Sequence, residues 1–462
     1  MRPLTAQWVA NAVGGELAAE VHAPVTSVIK DSRDASDGAL YAAFVGERVD
    51  GHDYAPQAFE AGATLALVSQ PVAGPHVLVE DVTAALGRLA RAYLALLRTE
   101  GDITVIGITG SNGKTTTKDL LAQVLPAAVA PEGSFNNEIG LPLTVLRAGP
   151  ETRHLVLEMG ASAPGDLAYL TAIAPLDIAV VLTVGTAHLG GYGSPDALAE
   201  EKASLLDGLV PGGVAILNGD DPRVAAMAAR PSLGEDDRRV VMFGVGAGRD
   251  LAATEVSNDR GRPRFTVSHG ADTGEVGLRL VGEHHVTNAL AALAVALETG
   301  QDLPTGASAV GDAVPLSAHR MALTERADGV WILDDSYNAS PESMRAALRA
   351  LKDVATTGRS FAVIGEMREM GDASIAAHTE IGLDVVRLRI DHTLVVGAGA
   401  RVAYIAAVNE GSWGDEAAYV ATIDEARDHL DGRLQPGDTV LIKASHGSGL
   451  WKLADELLGV DA

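Results

Sequence analysis

Apolar residues recur along this chain in two patterns, and their alternation sets the expected architecture. Short runs of aliphatic and β-branched residues read as buried parallel strands: ITVIGITG (103–110), HLVLEM (154–159), DIAVVLTV (177–184) and GVAILN (213–218). Between them lie stretches with helical apolar spacing. Leu120, Leu121, Val124 and Leu125 form one stripe of a helix over Thr115–Leu125, which Pro126 stops. DALAEEKASLLDGL (196–209) and the Ala-rich GEHHVTNALAALAVALETG (282–300) read as further helices. Alternation of this kind predicts a parallel sheet with helices on both faces.

The pattern also divides the chain. Ahead of this region, SVIKDSR, LYAAFVG and TLALVS are short strand candidates between turn residues, closed by the helical stretch TAALGRLARAYLALLRTEG (83–101). From about Leu316 the alternation restarts with GVWILDDSY, SFAVIGEM, HTLVVGAG and DTVLIKAS. The expected fold class is therefore α/β in three domains. Residues 1–98 would form a small mixed α/β N-terminal domain, 99–315 a central doubly wound parallel-sheet domain, and 316–462 a C-terminal Rossmann-like α/β domain. No internal repeat or low-complexity tract interrupts them.

Composition narrows the function by exclusion. The 462 residues are 47% hydrophobic and 21% charged, ordinary for a globular protein. A formal charge of −26 argues against a nucleic-acid or anionic-membrane binder, which needs an extended basic surface. Without cysteine there are no disulfides, thiolate nucleophiles or Cys-based zinc sites. The start lacks a basic segment followed by an apolar one, and no apolar run approaches the ~18 residues that span a bilayer. A cytoplasmic protein without membrane insertion, acting as a monomer, is the expectation.

GITGSNGKTTTKDLL departs from the usual phosphate loop, G-x-x-x-x-G-K-[ST]. Ile108 stands where the first glycine belongs, and the loop opens instead at Gly110, three residues before Gly113. The strand-to-helix context is nevertheless right. Glycines allow close approach of the backbone, and N–H groups at a helix start point toward an anion. Gly110, Ser111, Asn112, Gly113, Lys114, Thr115 and Thr116 are the candidate ATP contacts, with Lys114 against the β- and γ-phosphates and the Thr115 hydroxyl on Mg2+.

This loop resembles that of the Mur ligases, the ATP-dependent amide-bond enzymes of peptidoglycan synthesis, and of their folylpolyglutamate synthetase relatives, in which the shortened glycine spacing is usual. SFNNEIGLPLTVL, LVLEMGASAPGDLAYL, LNGDDPRV, GEHHVTNALAA, DDSYNASPESM and GEMREMG extend the resemblance over nearly the whole chain, and they are similar to the MurF branch. DDSYNASP with Met344 and GEMREMG discriminate here, and the DNPR motif typical of the MurE branch is missing.

The resemblance implies a ligase that passes the γ-phosphate of ATP to a carboxylate of UDP-MurNAc-tripeptide, whose acyl phosphate the amine of D-Ala-D-Ala then attacks. Its metal ligands would be Thr115, Glu158, His188 and Lys202, the last carbamylated by CO2 so that an ammonium becomes an anionic carbamate able to hold Mg2+. Read without the resemblance, Lys202 is one more lysine on an exposed helix face. Asn136 and Asn137 resemble an asparagine site near the γ-phosphate, with Asn137 keeping the family's distance to IGLP. Asn288 would contact adenine. Arg320 and Asp335 would close over ATP from the third domain, Arg320 neutralising transferred charge and Asp335 accepting from the ribose hydroxyls. Lys114, Lys202, His188, Asn137 and Arg320 are thus the candidate catalytic set. Tyr337 and Asn338 would shape the dipeptide pocket, and Ser32 and Arg33 the UDP-sugar region. KASHGSGLW departs from the family's KGSR at Ala444 and His446, which puts any anion contact of that arginine in doubt. Competing readings are a MurE-type or folylpolyglutamate ligase and, from another class, a P-loop kinase.

Overall fold

The computed structural model describes residues 1–46, 48–185, 192–411 and 414–460. Three sheets follow one another along the chain. The first has five strands in the order β1-β5-β4-β3-β2: β1 Glu16–Leu17, β2 Ser27–Ile29, β3 Ala39–Ala42, β4 Leu65–Val68 and β5 His76–Leu78. Strands β2 to β5 pair in parallel, and β1 runs antiparallel to β5.

The second sheet carries the phosphate loop. Its nine strands are β6 Thr104–Thr109, β7 Ala128–Val129, β8 His154–Glu158, β9 Leu176–Val181, β10 Leu209–Asn218, β11 Arg239–Val245, β12 Leu251–Asp259, β13 Arg262–His269 and β14 Asp272–Gly277. They lie in the order β14-β13-β12-β11-β10-β9-β6-β8-β7. β6 sits between β8 and β9, parallel to both and covered on both faces, hence its near-continuous apolar run. At the far edge, β12, β13 and β14 turn back as antiparallel hairpins. Arg260 and Gly261, both at positive φ, make the two-residue turn that joins β12 to β13.

The third sheet adds β15 Ala322–Glu325, β16 Trp331–Asp334, β17 Ser360–Ile364, β18 His392–Val396, β19 Ala417–Val420 and β20 Thr439–Lys443, in the order β15-β16-β20-β17-β18-β19. Only β15 is antiparallel. No helix among the described residues is long and apolar enough to cross a membrane.

Packing groups these units unequally. Helix Val82–Glu100 buries Leu86, Leu89, Tyr93 and Leu97 in one core with Leu4 and Val9 before it and Leu141, Val145 and Leu170 after it. Each such side chain contributes roughly 1.5–3 kcal/mol, so the first two sheets are joined by a common interior. The Tyr93 hydroxyl ties them further: it accepts from Arg2 N (2.7 Å) and donates to Ala148 O (2.7 Å). The third sheet has cores of its own, around Leu348 and Ile381 on one face and Ile332 and Leu453 on the other.

Candidate active site

The functional side chains gather where strands end, the usual location of ligands on open α/β sheets. β6 ends at Thr109, and the loop runs through Gly110–Gly113 into helix Lys114–Val124. Gly113 caps that helix at φ +87°, and a Cβ there would collide with Asn288 Oδ1. Only glycine meets both conditions. The loop is pinned to the end of β9: Ser111 N donates to Thr183 O (2.9 Å), Asn112 N to Thr183 Oγ1 (3.2 Å), and Gly185 N to Ser111 Oγ (2.8 Å). Lys114 Nζ folds back onto Gly110 O (2.7 Å). Burial lowers its pKa, and the charge of Glu158 opposes that shift.

Glu158, the last residue of β8, is 1% exposed and stands behind the loop. It accepts from Thr115 Oγ1 at Oε2 (2.9 Å) and from Asn136 Nδ2 at Oε1 (2.9 Å). Ser134 Oγ lies 3.1 Å from Thr115 Oγ1 and accepts from Arg320 Nη2 (2.9 Å). A polar chain therefore runs from Asn136 through Glu158, Thr115 and Ser134 to an arginine of the third domain. Of the two adjacent asparagines, Asn136 reaches the carboxylate. The Asn137 side chain, favoured from sequence, instead accepts from Gly140 N (2.9 Å) at the start of helix Gly140–Arg147.

From across the cleft, Arg320 lies over the Tyr337 ring, 4.3 Å from its centroid. Its neighbours His319 and Met321 both hold positive φ (59° and 51°), a strained arrangement of the kind kept at functional positions. The end of β16 secures both: Asp334 Oδ2 meets His319 Nδ1 at 2.6 Å, and Asp335 Oδ1 accepts from Met321 N (3.2 Å). Asp335 also pairs with the buried Lys443 (2.6 Å), whose ammonium donates to Asn338 O (2.8 Å) as well. Arg320 and Asp335 are thus held by separate partners. Ser340 Oγ, the cap of helix Pro341–Val354, donates to Asn112 Oδ1 of the loop (3.2 Å).

Lys202, on helix Pro195–Ala203, is 3% exposed, so the exposed-face reading of its helix fails. Glu201 accepts from Gly165 N (2.8 Å) and Leu167 N (2.9 Å), which locks this helix against the earlier helix Asp166–Ile173 and turns Lys202 inward. Burial lowers the Lys202 pKa to about 7, and the nearby charge of Lys114 pushes the same way. His188 lies outside the described residues. Among the described residues, no three histidine, aspartate or glutamate side chains gather into a metal-binding group. In the first domain, Ser32 is buried with its hydroxyl on Gln57 Oε1 (3.1 Å), while Arg33 is exposed and paired with Asp31 (2.6 Å). Their segment borders the site, because Lys30 Nζ stands 4.6 Å from the centre of the Phe135 ring.

A cleft of about 500 Å³ opens over these groups, lined by Lys114, Thr115, Glu158, Asn288, Arg320 and Asp335 among others. Thr116, Tyr337 and Asn338 also line it. Sequence reasoning passed over Ser134, His319, Ser340 and Lys443. Ser134, Ser340 and Lys443 lay inside quoted motifs, but their roles, like that of His319, come from contacts between distant segments, which no local spacing signals.

A phosphate loop backed by a carboxylate, and covered by an arginine from a facing α/β lobe, defines a nucleotide-dependent phosphoryl-transfer enzyme. Family models match in order along the chain: Mur ligase family, catalytic domain, at 24–94; Mur ligase middle domain at 108–296; and Mur ligase, glutamate ligase domain, at 319–446. The chain belongs to the Mur ligase family. It is 44% identical to the UDP-N-acetylmuramoyl-tripeptide–D-alanyl-D-alanine ligase of Mycobacterium tuberculosis, over 100% of this chain and 99% of that protein. With the Bacillus subtilis ligase of the same name it shares 34% identity, covering 94% and 93%. The crystal structure of MurF from Acinetobacter baumannii superposes with a TM-score of 0.88 at 30% identity, covering 99% of each chain. MurF from Thermotoga maritima in complex with ADP gives 0.77 at 28%, covering 94% and 98%.

Proposed function

We propose that this chain is the ligase that joins D-alanyl-D-alanine to UDP-N-acetylmuramoyl-tripeptide at the expense of ATP, releasing ADP and phosphate. The observation that carries the reading is the buried Glu158–Thr115 pair at the phosphate loop, linked through Ser134 to Arg320 of the opposite lobe. The activities for which full-length relatives are named support the choice of substrates.

The chain's own groups suit the reaction. Lys114, released from Gly110 O, donates to the β- and γ-phosphates. A substrate carboxylate oxygen bonds to the γ-phosphorus as the bond to ADP breaks. Arg320 stabilises the charge on the group in transfer, and such preorganised electrostatic help is the largest contribution expected. The amine of the dipeptide then forms the amide bond, phosphate departs, and the surplus amine proton passes to solvent or phosphate. The facing lobe keeps water from the acyl phosphate.

Thr115 Oγ1 and Glu158 Oε2 are hard oxygen donors 2.9 Å apart, the chemistry that Mg2+ takes, so the residues present fit that ion. When bound, the ion offsets the negative charge brought together by ATP and the carboxylate. A carbamate on Lys202 would add an anionic oxygen ligand, with His188 as a further candidate. A lysine with a pKa of about 7 is about half free amine at pH 7 and mostly so above it, the form that reacts with CO2. The exposed Arg33 would meet the UDP end in the first domain, and Tyr337 and Asn338 the dipeptide.

The test is an assay with UDP-MurNAc-tripeptide, ATP, Mg2+ and D-Ala-D-Ala, read by phosphate release and product mass. The expected result is phosphate release that depends on the dipeptide, with a pentapeptide-bearing nucleotide as product. No ATP consumption, or preference for meso-diaminopimelate, L-Lys or glutamate as acceptor, would reject the assignment.

A further inference from the structure

The start of helix His285–Glu298 holds a donor that no other described residue uses. His285 is 3% exposed and lines the nucleotide cleft, yet among the described residues its Nε2 has no hydrogen-bond partner. Buried polar atoms without partners are rare and call for an explanation. Its other nitrogen is engaged: Nδ1 lies 3.1 Å from Asn288 Nδ2. The amide nitrogen can only donate, so Nδ1 accepts and the ring proton sits on Nε2. Burial and the adjoining His284 hold the His285 pKa well below its ordinary value, so the ring stays neutral. Asn288 is itself committed, since its Oδ1 accepts from Thr117 Oγ1 (3.4 Å) and abuts Gly113. Asn288 keeps a second amide hydrogen and a second Oδ1 lone pair, so its expected adenine contact stays open beside one from His285.

Position supplies the ligand. Asn288 lies against the phosphate loop, and His285, one helical turn before it in the chain, lines the same cleft, within reach of a base anchored by its phosphates. Ser343 and Ala346 of the facing lobe line the same cleft, and their small side chains leave width for a flat ring. We propose that the Nε2–H of His285 donates to a ring nitrogen of the bound purine, with Asn288 acting behind it as a positioning residue that fixes the tautomer. The proposal rests on the nucleotide reading given under Proposed function.

The test replaces single atoms of the base. Affinities of the whole protein for Mg2+–ATP, its 1-deaza, 3-deaza and 7-deaza analogues, and the analogue lacking the 6-amino group are measured by calorimetry without the other substrates. For the native protein, one deaza analogue should bind roughly tenfold more weakly than ATP, the size of one hydrogen bond. In His285→Phe, which keeps a ring but no donor, that penalty should vanish. In Asn288→Asp the carboxylate accepts from Nδ1 and strips the proton from Nε2. The ratio of ATP to analogue affinity, in which any general weakening cancels, should then match that of His285→Phe. A penalty that survives both substitutions, or one that falls on the 6-amino analogue instead, overturns the proposal while leaving the nucleotide site intact. Failure of the native protein to bind ATP at all would overturn both.

Discussion

At Gly113 the site requires the absence of a side chain. Alanine at φ +87° costs about 1–2 kcal/mol in backbone strain, and its Cβ would also displace Asn288. Gly113→Ala should therefore weaken ATP binding at least tenfold while the melting temperature changes little, which calorimetry and thermal melts would separate. Lys202 carries a second prediction. Its folded pKa of about 7 lies below the 10.5 of a free lysine, so the unfolded chain binds more protons between those values. Stability from this group accordingly rises with pH across that window, and the full cost of burying the charge is felt below pH 7. Lys202→Met should raise the melting temperature more at pH 6 than at pH 9, while abolishing turnover. Equal shifts at the two pH values would contradict a buried neutral lysine. A carbamate resonance on 13CO2-treated native protein should be present at pH 8 and fade toward pH 6, because only the free amine reacts. Lys114, Thr115 and Glu158 were legible in the sequence because a glycine loop and a strand end fix where they point. Between Asn136 and Asn137 the sequence favoured Asn137, but one residue of loop conformation decides which faces the carboxylate, and it is Asn136. The burial of Lys202 was hidden because Glu201, gripping a helix some thirty-five residues earlier in the chain, determines it.

Helix Lys114–Val124 does more than present the loop. Its Gln123 exchanges two hydrogen bonds with the backbone of Val314 (2.9 and 3.1 Å), and Asp119 accepts from Ser317 N (3.0 Å). The segment leading to Arg320 is thus strapped to the phosphate-binding helix at one end and to β16, through His319 and Met321, at the other. The two positive-φ residues cost about 1–3 kcal/mol each, and the Asp334 contact helps to hold the first of them. Loss of that contact should let Arg320 wander without unfolding the domain. His319→Ala is expected to lower kcat at least tenfold with little change in the KM for ATP. His319→Asn, which tolerates the left-handed region and can donate to Asp334, should recover much of the rate. An unchanged kcat in His319→Ala would show that the strap does not position the arginine. At this scale the buried strands β6, β8, β9, β16 and β20 stood out in the sequence because both of their faces are covered. Strands β12, β13 and β14 did not, because β13 alternates exposed and buried residues and parts of all three are open to solvent. Such segments lack the continuous apolar run that marked the others.

Three sheets were expected and three are present, but their cores do not divide into three equal units. The first two share an interior through helix Val82–Glu100, whereas the third takes only Val281 from them into its core and also meets them through polar contacts such as Ser340–Asn112, Arg320–Ser134 and Asn258–Asp353. No local pattern announces a shared core, because Tyr93 reads as an ordinary helix residue until Arg2 and Ala148 close on its hydroxyl. An interface without a shared core allows relative motion, while a shared apolar interior opposes it. Unfolding should therefore proceed in two cooperative steps rather than three, the first two sheets together and the third alone. Tyr93→Ala removes a fully buried ring and should destabilise the joint unit by roughly 3–5 kcal/mol. In scanning calorimetry that loss is expected to lower one transition, assigned to both sheets by hydrogen exchange, and to leave the other in place. A nucleotide bound between Lys114 and Arg320 touches both units, so a non-hydrolysable ATP analogue with Mg2+ should raise the two transitions and draw them together. Three separate transitions in the native protein, or a Tyr93→Ala effect confined to the first sheet, would mean that the shared interior does not make those domains one body.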